Sequence, residues 1–221
     1  KVELVVVDNK SDKAESASAV ARLIEKEGVV AIIGSWGSGL SIPAGDLLKE
    51  NEIPAVACSA TNPLVTQGND YYFRVCFIDP FQGTVAAKYA YNTLGAKTAA
   101  IIQEVSNDYA VGLATFFKQE FTRLTGDPNS VVEVSNYQTG DNDFSAQLTN
   151  IKAKNPDVLF APGNFTESAL IVKQAKQLGL NCAFLGGDTW EVQEFLDVGG
   201  SEVEGVYFTT FADPTQTGTE E

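Results

Sequence analysis

Short runs of β-branched and other apolar residues alternate with amphipathic stretches along nearly the whole chain, and this rhythm predicts parallel sheets with helices packed on their faces. The apolar runs place strands at residues 3–8, 29–34, 53–58, 98–103, 131–135, 158–162, 183–186 and 206–211. The amphipathic stretches between them predict helices at 13–27, 39–51, 81–94, 108–124, 144–155, 167–178 and 190–198. Punctuation falls at their borders: Ser11 and Asp12 precede the first helix, and Gly95, Gly126 and Gly179 follow later ones. The fold class is α/β. The stretch YYFRVCFIDP at 71–80 breaks the rhythm and reads as an extended connector, stopped by the Asp-Pro pair before a new helix. A lobe boundary near Asp79 follows, giving a first lobe at 1–79 and a second at 80–212. A second break at Ala212, Asp213 and Pro214 assigns 213–221 to a return crossover towards the first lobe.

Composition narrows the chemistry. With 221 residues, 44% of them hydrophobic, the chain can build real cores. Lys and Arg number 15 against 29 Asp and Glu, a formal charge of -14, which repels a phosphate backbone or an anionic bilayer at long range. No apolar run reaches the roughly 18 to 20 residues of a membrane span, and the opening has no basic-then-apolar leader, as expected of a mature or trimmed sequence. Histidine is absent, which removes the commonest general base, the imidazole zinc ligand and the Ser-His-Asp triad. Neither catalysis nor a cofactor is expected. Cys58, Cys76 and Cys182 lie in apolar contexts without CxxC spacing and read as buried small hydrophobes. A Cys58 to Cys76 disulfide stays open.

Three turns after predicted strands are rich in small hydroxyl residues: 34–39 (GSWGSG), 58–63 (CSATNP) and 186–190 (GGDTW). In open α/β sheets ligands bind beyond the carboxyl ends of strands, where glycines admit close approach and helix starts offer N–H groups to an anion. The first two turns fit a carboxylate cradle. Neither is a P-loop or a GxGxxG fingerprint. Ser38, Ser59 and Thr61 could equally be caps and turn formers, and Asp188 an N-cap rather than a lone carboxylate facing a cation. Trp36 and Trp190 each lie two residues from a proposed polar anchor, with ordinary packing as the alternative. Tyr109 either faces a ligand or staples the helix it starts.

Taken in order, the segments AIIGSWGSGLSIPAGDLLKENEIPAVACSAT, NDYAVGLATFFKQEF, TGDNDFSAQLTNIKAKNPDVLFAPG and VKQAKQLGLNCAFLGGDTW resemble the type I periplasmic binding proteins, within them the leucine/isoleucine/valine-binding branch. The resemblance covers nearly all of the chain in collinear order. It implies two doubly wound parallel-sheet lobes joined by a hinge, the first lobe lacking its first strand and helix. It also implies that Ser38 and Thr61, with main-chain groups of Ser59 and Ala60, hold a ligand α-carboxylate. Asp188 falls where the family places the acid for the α-ammonium, and Tyr109 matches a ligand-contacting tyrosine. Asn164 stands where some relatives carry an aromatic residue, and Trp36 where some carry an aliphatic one.

The function so implied is capture of a hydrophobic or branched-chain amino acid between the lobes and delivery to an ABC permease. The alternative is a sensor or regulator of the same fold. The expected location is periplasmic or extracellular, with a lipid anchor upstream of Lys1 left open. For the segments absent relative to the family, a fragment, a split or rearranged chain, and a partner chain supplying them are all open.

Overall fold

The computed structural model describes residues 2–212, so the expected crossover at 213–221 lies outside the described residues. The chain divides into two compact units, Lys1–Asp79 and Pro80–Glu221.

In the first unit, three parallel strands, β1 (Ile32–Ile33), β2 (Ala55–Ala57) and β3 (Tyr72–Arg74), lie in the order β1-β2-β3. Helix α1 (Lys13–Glu25) starts where Asp12 accepts hydrogen bonds from the backbone of Ala14 and Glu15, an N-cap that satisfies two otherwise orphaned donors. Helices α2 (Ser38–Ser41) and α3 (Gly45–Glu50) are joined by a 3-10 turn at Ile42–Ala44. Strand alternation sends Ile32, Ala55, Ala57 and Tyr72 into one core with Val20, Ala44 and Leu48 from the helices. The opposite face carries Ile33, 78% exposed, and Phe73, 53% exposed. Among the described residues, therefore, helices cover one face of this sheet and not two.

Two expectations fail here. Residues 3–8 form no strand: no described strand pairs with them, and Val2, Leu4 and Val6 are exposed, so an apolar alternation without a ladder partner stays extended coil. The connector at 71–80 instead carries β3, because its Tyr-Tyr-Phe run finds β2 as a partner, with Ala55 opposite Tyr72.

The second unit is a five-stranded parallel sheet in the order β5-β4-β6-β7-β8. Its strands are β4 (Ala99–Glu104), β5 (Val131–Tyr137), β6 (Val158–Phe160), β7 (Ala183–Gly186) and β8 (Tyr207–Phe208). Helices α4 (Asp79–Lys88), α5 (Asp108–Thr125), α6 (Ser145–Lys154), α7 (Phe165–Gln177) and α8 (Gln193–Gly199) surround it, and a π-helical turn at Tyr89–Thr93 continues α4. Alternation along β4 sends Ala99 and Ile101 to one core, with Leu113, Phe117 and Phe121 of α5. Ala100 and Ile102 go to the other, with Leu148 of α6 and Val172 of α7. Both faces are buried, so the strands read as nearly continuous apolar runs. Strand order reverses between β4 and β6, and at such a switch point the loops at the carboxyl ends part to leave room for a ligand.

The cysteines also depart from expectation. No disulfide joins them. Cys58 is exposed because the alternation that buries Ala55 and Ala57 puts it on the other side of β2, whereas Cys76 and Cys182 are half-buried. Burial pushes the Cys182 thiol up to about 12, away from reactivity.

Candidate functional site

In the first unit two turns follow β1 and β2, and hydrogen bonds lock them together. The Ser38 hydroxyl, 1% exposed, accepts from the backbone N–H of Asn62 at 3.0 Å, and Ser59 Oγ accepts from Gly37 N at 3.3 Å. Ser38 is therefore no helix cap: Gly37 holds the N-cap of α2, and Asn62 caps the turn after β2 by accepting from Leu64 N. Thr61 is fully buried, and its hydroxyl has no hydrogen-bond partner among the described residues. Its carbonyl accepts from Asp79 N at 3.0 Å.

Arg74 of β3, which sequence reasoning passed over, fixes the second turn from below. Its guanidinium donates to the carbonyls of Ala60 at 2.6 Å and Asn62 at 3.0 Å, and to the Thr66 hydroxyl at 2.8 Å. The turns at 34–39 and 58–63 contain no acidic side chain. Trp36, within the first of these turns, is 51% exposed.

The second unit has the opposite character. Asp188 follows Gly186 and Gly187 at the end of β7, and its Oδ1 accepts from the Tyr109 hydroxyl at 2.8 Å. Tyr109 is buried in the first turn of α5, and its N–H is received by the Asn107 side chain that caps the helix. A Cβ at Gly187 would lie 2.0 Å from the Tyr109 hydroxyl, and one at Gly186 would lie 2.1 Å from the Trp190 ring. Gly187 is what lets tyrosine and aspartate meet, while Gly186 makes room for Trp190. Asp188 does not cap its 3-10 turn; Gly187 occupies that position.

Burial raises the Asp188 pKa above its ordinary value, the Tyr109 hydroxyl and the Gln82 amide pull it back, and the charge of Glu191 pushes it further up. No lysine or arginine among the described residues pairs with it.

Asn164 holds the N-cap of α7 without a side-chain capping bond, and its amide reaches towards Glu104 Oε2 at 3.5 Å. Glu104, buried at the end of β4, also accepts from Asn107 Nδ2 at 2.8 Å and from the Thr139 hydroxyl. Sequence reasoning missed both Glu104 and Gln82. A glutamate closing a wholly apolar β-run, just before a helix start, is the signal that could have exposed Glu104. Trp190 is 2% exposed, stacked on Phe195 at 4.7 Å and packed in the core, where the bare backbone of Gly186 leaves room for its ring.

The described residues contain no cluster of His, Cys, Asp and Glu able to hold a metal, and no helix long and apolar enough to cross a membrane. The turns of the first unit present neutral hydroxyl groups, and the second unit, taken by itself, presents a buried carboxylate.

The family profile described as periplasmic binding protein matches residues 1–221. The chain is similar to an amino acid binding protein of Pseudomonas aeruginosa, 32% identical over 219 residues that make up 97% of this chain and 57% of the relative. It is also similar to the Leu/Ile/Val-binding protein BraC3 of Rhizobium johnstonii, 33% identical, covering 98% of this chain and 58% of that one. Among solved structures, a leucine binding protein LivK of Thermotoga maritima superposes with a TM-score of 0.92 at 45% identity, over 97% of this chain and 60% of that one. The LivJ substrate binding protein of a Streptococcus pneumoniae branched-chain amino acid transporter, solved with isoleucine, gives 0.89 at 32% identity, over 98% and 61%. The chain thus spans less than two thirds of the length of these relatives.

Proposed function

Because the chain belongs to the periplasmic binding protein family, we propose that it forms the ligand-holding body of an extracytoplasmic solute-binding protein for a branched-chain or other apolar amino acid, which it delivers to an ABC permease. The observation that carries this reading is Asp188. It is a carboxylate raised in pKa by burial, held by a tyrosine hydroxyl and a glutamine amide, with no cation against it among the described residues. A zwitterion supplies the missing partner. Its ammonium makes a charge-assisted hydrogen bond to Asp188, and its carboxylate takes neutral donors, which the turns of Ser38, Ser59, Ala60 and Thr61 offer. Thr61 supports this half, since its buried hydroxyl lacks a partner among the described residues.

Tyr109 orients the acid, Trp36 lines the side chain, and Asn164 borders the site beside Glu104. The names of the similar proteins, which bind leucine, isoleucine and valine, agree with this ligand class. Titration calorimetry against a panel of amino acids and the matching amides tests the reading. Leucine, isoleucine or valine should bind and their amides, which lack the carboxylate, should not; equal binding of amide and acid would overturn it.

A further inference from the structure

We infer that Gln82 is a positioning residue for the ammonium site, its side-chain amide oxygen fixing the main chain that carries Asp188. The inference rests on the reading of Asp188 given above. Gln82 lies in the first turn of α4 and is 1% exposed. Its Oε1 accepts from the backbone N–H of Asp188 at 3.1 Å and from the Thr209 hydroxyl at 2.5 Å. Thr209 in turn donates its own N–H to the Gly186 carbonyl at 3.3 Å. One amide therefore ties the start of α4, the turn after β7 and the segment leaving β8 into a single support for the carboxylate.

The chemistry selects glutamine. Two donors converge on one oxygen, which the amide supplies without charge; glutamate supplies it with a charge, methionine does not supply it, and asparagine is one methylene too short. Space is reserved as well, because a Cβ at Gly187 would come within 3.3 Å of Gln82 Oε1. Three groups from different segments bear on Asp188: Tyr109 from α5 donates to its carboxylate, Gln82 from α4 accepts from its main chain, and Glu191 from the following turn opposes its ionisation by charge. A second negative charge placed at Gln82 adds to burial and Glu191, so the acid retains its proton to higher pH and loses its grip on an ammonium.

The test titrates leucine into the full-length protein and its Gln82→Glu, Gln82→Met and Asp188→Asn variants, from about pH 4 to about pH 8. Gln82→Glu is nearly isosteric and keeps the acceptor for Asp188 and Thr209. It should weaken leucine binding near neutral pH on the order of tenfold or more and move the acidic limb of the binding profile to higher pH. Gln82→Met should weaken binding with a smaller displacement of that limb. A purely structural role would lower the melting temperature and leave the limb in place, which overturns the proposal. If Asp188→Asn abolishes binding while both Gln82 variants bind leucine within about threefold of wild type with an unmoved limb, the clamp is wrong and the Asp188 reading stands. If Asp188→Asn binds as wild type does, both fall. Should Gln82→Met not fold, Gln82→Glu decides alone.

Discussion

Asp188 is held in the folded chain at a cost. Its folded pKa is raised above the ordinary 3.8 by burial, so protonating it stabilises the ligand-free protein, a contribution fully present below that value and lost as pH rises through the raised one. Ligand-free stability should therefore fall across that window in wild type and stay flat there in Asp188→Asn, as melting curves at stepped pH would reveal. A bound ammonium reverses the balance. Asp188→Ala should accordingly weaken amino acid binding by about 2 to 5 kcal/mol, measured by calorimetry. The two hydroxyls of the first unit should behave differently from each other. Ser38→Ala strips the Asn62 N–H of its acceptor and should cost about 1 to 3 kcal/mol of stability along with affinity. Thr61→Val keeps the shape and removes a hydroxyl that has no partner among the described residues. It should leave the melting temperature in place while binding loses about 1.5 to 3 kcal/mol. From sequence, small hydroxyls after apolar runs marked these turns, but capping and ligand roles stayed undivided. What divides them is a contact between residues 38 and 62, which no local pattern reports.

Elements with a long amphipathic period were legible almost to the residue. α5, expected at 108–124, spans Asp108–Thr125, because its Ala, Leu and Phe positions recur on one face and Gly126 ends it in the left-handed conformation. β7 falls at 183–186 as expected. Strands that depend on a neighbour were not legible: residues 3–8 have the composition without a partner, and β3 has a partner without the alternation. The ends of α4 were blurred for another reason, since Asp79 and Pro80 are drawn into its first turn and the helix widens into a π turn at Tyr89. Gln82 was invisible because its partner lies 106 residues further on. The packing of α4 on α5 has its own requirement. A Cβ at Gly83 would stand 2.7 Å from Phe116 Cβ and 2.8 Å from Phe117 N, and backbone cannot yield as a side-chain tip can. Gly83→Ala should then destabilise the second unit by about 1 to 3 kcal/mol despite the better helix propensity of alanine, a sign that denaturant titration reads directly.

On a chain whose net charge is -14, the hydroxyl-rich turns at 34–39 and 58–63 carry no acidic side chain, whereas the carboxylates of Asp188 and Glu104 lie buried in the second unit. A ligand fixed at its α-carbon must present its side chain to a wall, and the half-exposed indole of Trp36 offers apolar surface without a counter-charge. Apolar amino acids should outcompete Glu, Asp, Lys and Arg by a wide margin, because a charge buried without a partner is costly. Among Leu, Ile, Val and Phe the preferences should lie within about 1 to 3 kcal/mol per methylene. Competition binding would measure both ranges, and Trp36→Ala should flatten the ranking towards larger side chains. The same indole gives the chain an optical use. It has only two tryptophans, one 51% exposed and the other 2% exposed. Their fluorescence should separate into a red-edge component from Trp36, open to acrylamide quenching, and a blue, shielded one from Trp190. Ligand capture would then be visible without any label, as a change confined to the quenchable part of the spectrum, with Trp190 serving as the internal reference.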